Sequence, residues 1–157
     1  MKVCFWAIGK THEAYVNAGV ADFTNRVQKY FPVEWTIFPV PKNAAVMSED
    51  DLKKKEAELL LAQIKKDDFI IALDEFGKQV DSVELAKFIQ SRANESVKRL
   101  VFIIGGAFGL HANLLSISNY KWSLSKLTFP HQLVRLILAE QVYRACTILK
   151  NEKYHHK

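Results

Sequence analysis

The sequence predicts an α/β fold, a mostly parallel sheet flanked by helices, and three observations carry that expectation. Residues 69–73 (FIIAL) and 100–104 (LVFII) are unbroken apolar runs, the pattern of central parallel strands buried on both faces. Stretches with helical spacing alternate with strand-like stretches, the rhythm of a layered α/β domain. Each buried run leads into a turn, DEFG at 74–77 and GGAFGL at 105–110. These turns gather beyond the carboxyl ends of the strands, where open parallel sheets place their ligands.

Residues 2–9 read as a first strand closing on Gly9. Residues 13–30 read as a helix with Thr11 as its cap, because Ala14, Val16, Val20, Phe23 and Val27 recur at roughly helical spacing. Phe31 and Pro32 stop it, and residues 33–40 (VEWTIFPV) form a second strand that Pro39 ends or sets at an edge. After a loop at 41–48, Ser48 caps a charged helix over 49–66 with Asp51 as the acidic partner. Its apolar stripe is Leu52, Leu59, Leu60 and Ile64, and the rest reads as a solvated Lys/Glu face, with RNA contact by Lys53–Lys55 as the alternative. A third helix spans 81–92, a short one 112–116, and a strand 120–124 follows.

The last stretch is the most informative. Pro130 disfavours helix at Phe129 and lacks a backbone donor, so 125–131 is a loop, and residues 132–150 continue as a helix without Gly or Pro. On that helix Val134, Ile137, Leu138, Val142, Ala145, Ile148 and Leu149 share one arc, which is expected to face the sheet. Leu133, Leu136, Ala139 and Tyr143 lie on the other side. Two apolar stripes mean burial on both sides. The helix is therefore expected to join two subunits, a central core helix in a monomer being the alternative.

Composition bounds the rest. The 157 residues suit one domain, 1–157. Hydrophobic residues make up 49% and charged residues 25%, enough for a core without disulfides. Cys4 and Cys146 sit in apolar runs and read as reduced core residues of a cytoplasmic protein. No Cys/His spacing suggests a metal site, and residues 3–8 are too short for a signal core or a membrane span. A net charge of +5 and a pI near 9.2 permit a polyanionic partner without proving one.

Three loops meet at the carboxyl end of the predicted sheet: 73–77, 105–109 and 124–131. Gly105 and Gly106 allow close backbone approach, although a tight strand-to-helix turn would use the same glycines. Ser125, Thr128 and the main chain between them could hold a neutral purine, with Leu73, Leu124 and Leu127 as apolar walls. Asp74 and Glu75 could instead only solvate a turn.

Three segments together, FIIGGAFGL (102–110), WSLSKLTFPHQLVRLILAEQVYRA (122–145) and KYHHK (153–157), resemble the RlmH family. Its members are bacterial methyltransferases acting on N3 of a pseudouridine in 23S ribosomal RNA. The similarity spans the chain, including KVCFWAIGK at its start. It implies a SPOUT-class α/β fold with a C-terminal trefoil knot, a homodimer, and the assembled ribosome as substrate. It also implies S-adenosyl-L-methionine as cofactor, held by Leu73, Gly105, Leu124, Ser125, Lys126, Leu127, Thr128 and Phe129. Lys126 departs from the small or Pro residue of many relatives, a change of little weight where the loop binds through its backbone.

Pseudouridine N3 carries a proton near neutral pH, so transfer needs a base or cations that stabilise the imidate. The candidates are His131, Arg135, Glu140, Arg144, Tyr154 and His155. Five of them have a plainer reading: His131 as a loop residue, Glu140 and Arg144 as an i,i+4 ion pair, Tyr154 and His155 as a frayed end. The resemblance favours a tail that crosses the dimer, with Tyr154 stacking on the base, His155 moving the proton, and Arg135 and Arg144 holding phosphate or imidate oxygens. Two other functions fit the same residues: a non-enzymatic RNA-binding module, and a methyltransferase acting on another RNA such as transfer RNA.

Overall fold

In the computed structural model, which describes residues 1–156, five parallel strands form one sheet in the order β2-β1-β4-β3-β5. Lys157, the last residue of the KYHHK motif, lies outside the described residues. The strands are β1 (Lys2–Ile8), β2 (Val33–Phe38), β3 (Asp68–Lys78), β4 (Arg99–Ile104) and β5 (Tyr120–Trp122). The helices are α1 (Ala14–Val27), α2 (Glu49–Leu61), α3 (Ser82–Asn94), α4 (Ala112–Ile117) and α5 (His131–Leu149), with a 3₁₀ turn at Ala44–Val46.

Strand periodicity sorts the core into two layers. Val3, Phe5 and Ala7 point with Phe102, Leu138, Val142 and Ala145 into one layer. Cys4, Trp6 and Ile8 point with Val101, Ile103, Leu60 and Leu114 into the other. Thus α5, flanked by α1 and α3, covers one face of the sheet, while α2 and α4 cover the other. The runs 69–73 and 100–104 lie within the adjacent strands β3 and β4, as their unbroken apolarity predicts.

Several boundaries move, each for a local reason. The helix predicted over 13–30 is α1, and its cap is not Thr11: Glu13 takes the N-cap position, and its N–H donates to Gln132 Oε1 of α5 at 2.9 Å. Ser48 does cap α2, accepting from the Asp51 N–H at 3.2 Å. That helix ends at Leu61 rather than at 66, where a turn delivers Asp68 to the Lys65 N–H and to Arg99. The stripe of α2 buries Leu52, Glu56, Ala57 and Leu60, while Leu59 is exposed.

The second stripe of α5 packs against α1 of the same chain. A Cβ on Gly19 would stand 2.7 Å from Leu136 Cδ1, so glycine lets the Leu136 side chain lie directly against α1. Further along, Tyr143 stacks obliquely against Phe23, their centroids 5.9 Å apart, and Ala139 is fully buried. α1 of the same chain therefore covers part of the second stripe, while Leu133, Leu136 and Tyr143 stay partly exposed.

Candidate active site

The pairing of β3 with β5 contains one irregularity, and it shapes the site. Leu73 and Lys78 both lie opposite Trp122, so residues 74–77 loop out of the ladder. Gly77 closes this excursion against the backbone of Lys121 and Trp122, where a Cβ would meet main-chain carbons at 2.7 and 2.8 Å. The Ser123 N–H then donates to the Lys78 carbonyl at 3.0 Å and restores the ladder.

Beside this excursion, β4 runs into a turn in which the Gly109 N–H donates to the Gly106 carbonyl at 3.2 Å. Gly109 has φ +82°, a conformation that favours glycine. A Cβ on Gly105 would stand 2.8 Å from the Gly109 carbonyl carbon. The third loop, 123–130, is braced by its own hydroxyls. Ser123 Oγ donates to the Ser125 carbonyl at 3.1 Å, and the Leu127 N–H donates to Ser125 Oγ at 3.0 Å. The main-chain donors of Lys126, Thr128 and Phe129 have no partner among the described residues.

Together the three loops enclose a cleft of about 780 Å³, within the range of small-molecule and cofactor sites. Leu73, Gly105, Leu124, Ser125, Lys126, Leu127, Thr128 and Phe129 all line it, joined by Asp74, Glu75, Gly106, Trp122 and His131. Phe76, Phe108 and Leu127 form part of its wall while standing 87%, 48% and 73% exposed.

The six proton-handling candidates divide into three places. His131 opens α5 and lines the cleft. Its imidazole is held below the ordinary histidine range, first by desolvation and second by the charge of Arg135, although the residue is solvent-exposed on one side. Arg135 itself is 1% exposed and does not line the cleft. It donates to the Lys10 carbonyl at 2.8 Å and lies 3.4 Å from His12 Nδ1. Gln132 adds a donation to the Thr11 carbonyl at 3.2 Å, so the first turn of α5 fastens the loop between β1 and α1.

Glu140, Arg144, Tyr154 and His155 form a cluster of their own. Arg144 Nη2 donates to Glu140 Oε1 at 2.5 Å, and Tyr154 donates to the same oxygen at 3.0 Å. The Arg144 guanidinium lies 4.7 Å from the Tyr154 ring centre and its Nη1 3.4 Å from His155 Nδ1. The tail is thus docked on α5 rather than frayed. At about 1.5 Å per residue, Glu140 and Arg144 lie roughly 14 and 20 Å along the helix from His131. Within one chain, then, the cleft and this cluster do not meet.

Sequence reading missed Glu56, which sits behind the cleft wall with both oxygens within 3 Å of the position a Gly106 Cβ would take. Its place between Leu52 and Leu60, four residues from each, was the available signal. No three His, Cys, Asp or Glu groups gather as metal ligands among the described residues, and none of their helices is long and apolar enough to cross a membrane.

Comparison with known proteins agrees with this geometry. Among solved structures, a probable methyltransferase from Bordetella pertussis superposes with TM-score 0.55 at 15% identity, covering 91% of this chain and 95% of that one. A probable methylase family protein from Haemophilus influenzae gives 0.52 at 11%, covering 99% and 70%. Closer in sequence, the ribosomal RNA large subunit methyltransferase H of Cytophaga hutchinsonii is 45% identical over 99% of this chain and the whole of that protein. Its namesake from Christiangramia forsetii is 43% identical over the full length of both. The family profile described as "Predicted SPOUT methyltransferase" matches residues 1–155. The chain belongs to the SPOUT methyltransferase family, and within it to the ribosomal RNA large subunit methyltransferase H group.

Proposed function

We propose that this chain is an S-adenosyl-L-methionine-dependent methyltransferase that modifies N3 of a pseudouridine in 23S ribosomal RNA on the assembled ribosome. The observation that carries the reading is the cleft: three loops meet around it, one with free main-chain donors at Lys126, Thr128 and Phe129, and Gly105 and Gly106 let another pack closely behind its wall. Such a cradle suits a purine nucleoside recognised by its edges, and the residues present fit the cofactor. When bound, S-adenosylmethionine supplies a methyl group already activated on a sulfonium, so the protein's tasks are placement and removal of the N3 proton.

His131 is the group best placed to accept that proton. It lines the cleft, and its lowered proton affinity keeps the imidazole neutral near pH 7. Arg135 acts through it, tuning its charge and fixing the neighbouring loop. Glu140, Arg144, Tyr154 and His155 work as a preassembled unit delivered to the cleft of a second copy. In this reading Tyr154 stacks on the base, and Arg144 with His155 holds the imidate oxygens. A homodimer is therefore part of the reading, supported by the distance between cleft and cluster and by the exposed apolar rim of Phe76, Phe108 and Leu127. One cytoplasmic SPOUT domain over 1–157, with the last helix threaded as a trefoil knot, completes it.

Incubation with labelled S-adenosylmethionine and either 70S ribosomes or transfer RNA tests the substrate. Label in 23S RNA, mapped by mass to pseudouridine N3, is expected. Label in transfer RNA, or RNA binding without transfer, would replace this function with one of the two others.

A further inference from the structure

Glu56 is a buried carboxylate without an obvious structural purpose. It is 5% exposed and makes no hydrogen bond or ion pair to any described residue. Burial alone pushes its carboxyl above the ordinary range. Lys53, one turn earlier on α2, lines the cleft instead of pairing with it. Burying an unpaired carboxylate is costly, so a fold that keeps one has a use for the charge.

Its surroundings suggest that use. A Cβ on Gly106 would stand 2.6 Å from Glu56 Oε1 and 2.9 Å from Oε2. The absence of a side chain there leaves the carboxylate room beside Gly106, in a loop that also lines the cleft. Asp74 and Glu75 also line the cleft, but Glu75 is exposed and Asp74 partly so, and water and salt screen such charges. Glu56 is only 5% exposed, so water and salt screen its field less than theirs.

We infer that Glu56 is a charge-selective positioning residue, which favours a cationic methyl donor in the cleft over the neutral thioether left after transfer. This rests on the reading that the cleft holds S-adenosylmethionine. Transfer forms the N–C bond and breaks the S–C bond, and the electron pair left on sulfur cancels its charge. The attraction to Glu56 ends with that charge, which eases product release.

The test is calorimetric titration of the full chain and of Glu56→Gln with three ligands: S-adenosylmethionine, the amine analogue sinefungin, and S-adenosylhomocysteine. The substitution is expected to weaken the two cations about tenfold and the neutral thioether less than twofold. Equal weakening of all three would make Glu56 a mere prop for the loop, and no change would deny it any role. Should the variant not fold, the wild-type preference for S-adenosylmethionine over S-adenosylhomocysteine decides. A ratio steady between about 50 and 500 mM salt fits a shielded carboxylate; one that collapses assigns the preference to Asp74 and Glu75. If the wild type binds none of the three, the cofactor reading itself fails, and this inference with it.

Discussion

Tyr154 donates its phenolic hydrogen to Glu140 Oε1 at 3.0 Å, across fourteen residues of chain. This bond fixes the tail to the helix that carries it. Tyr154→Phe should destabilise the fold by only about 0.5–1.5 kcal/mol, measured by urea unfolding. Methylation should fall about tenfold or more if the cluster acts as a unit. Deleting residues 153–157 should abolish methylation and leave cofactor affinity nearly intact; equal loss of both would count against the tail's role.

The exposed rim of the cleft predicts the assembly. Phe76→Asp together with Leu127→Asp should convert the dimer to monomer in sedimentation velocity and abolish methylation. The circular dichroism spectrum should not change, because both side chains lie outside the core.

Two glycines separate folding from binding. Gly77→Ala should cost about 1–3 kcal/mol, because its Cβ meets backbone that cannot yield. Gly105→Ala should instead weaken S-adenosylmethionine binding by about tenfold or more, since the displaced loop is a wall of the cleft. Thermal denaturation and calorimetry distinguish the two.

Proton linkage follows from His131 and His12, both lowered from 6.5, first by desolvation and second by Arg135. The unfolded chain binds these protons more tightly than the folded one. Their contribution to stability is therefore complete above about 6.5 and is lost as pH falls through the lowered folded values. The acid limb of the methylation rate should lie below 6.5 and move up toward it in Arg135→Met. A limb that stays in place would remove His131 from the proton transfer.

Glu56 works in the opposite direction. Its folded carboxyl is raised above 4.5 by burial, so the folded state holds that proton more tightly. Stability from this group is present at low pH and declines as pH rises through the raised value. Glu56→Gln should therefore melt at a higher temperature than the wild type at pH 7, even as cation binding weakens, a trade of stability against function.

Much of this architecture was legible because it is local. Unbroken apolarity marked β3 and β4, Ser48 with Asp51 marked the start of α2, and Pro130 marked the loop before α5. All eight expected cofactor residues do line one cleft. What escaped depends on distant partners. The N-terminus of α1 is capped by Gln132, which is 119 residues away. Gly19 brings α1 against the second stripe of α5, a partner within the chain that the stripe alone did not announce. Arg135 read as a cation for phosphate or imidate oxygens, yet its guanidinium is buried against a loop whose carbonyl it meets. Glu56 looked solvated because its helix is mostly charged.

The fastening of the loop between β1 and α1 bears on how this protein can drift. Gln132 and Arg135 hydrogen-bond to peptide groups of Lys10, Thr11 and Glu13. Substitutions at Lys10 and Thr11 should pass almost unnoticed over generations, whereas Glu13, whose charge favours the buried Arg135 cation, and positions 132 and 135 should drift far less.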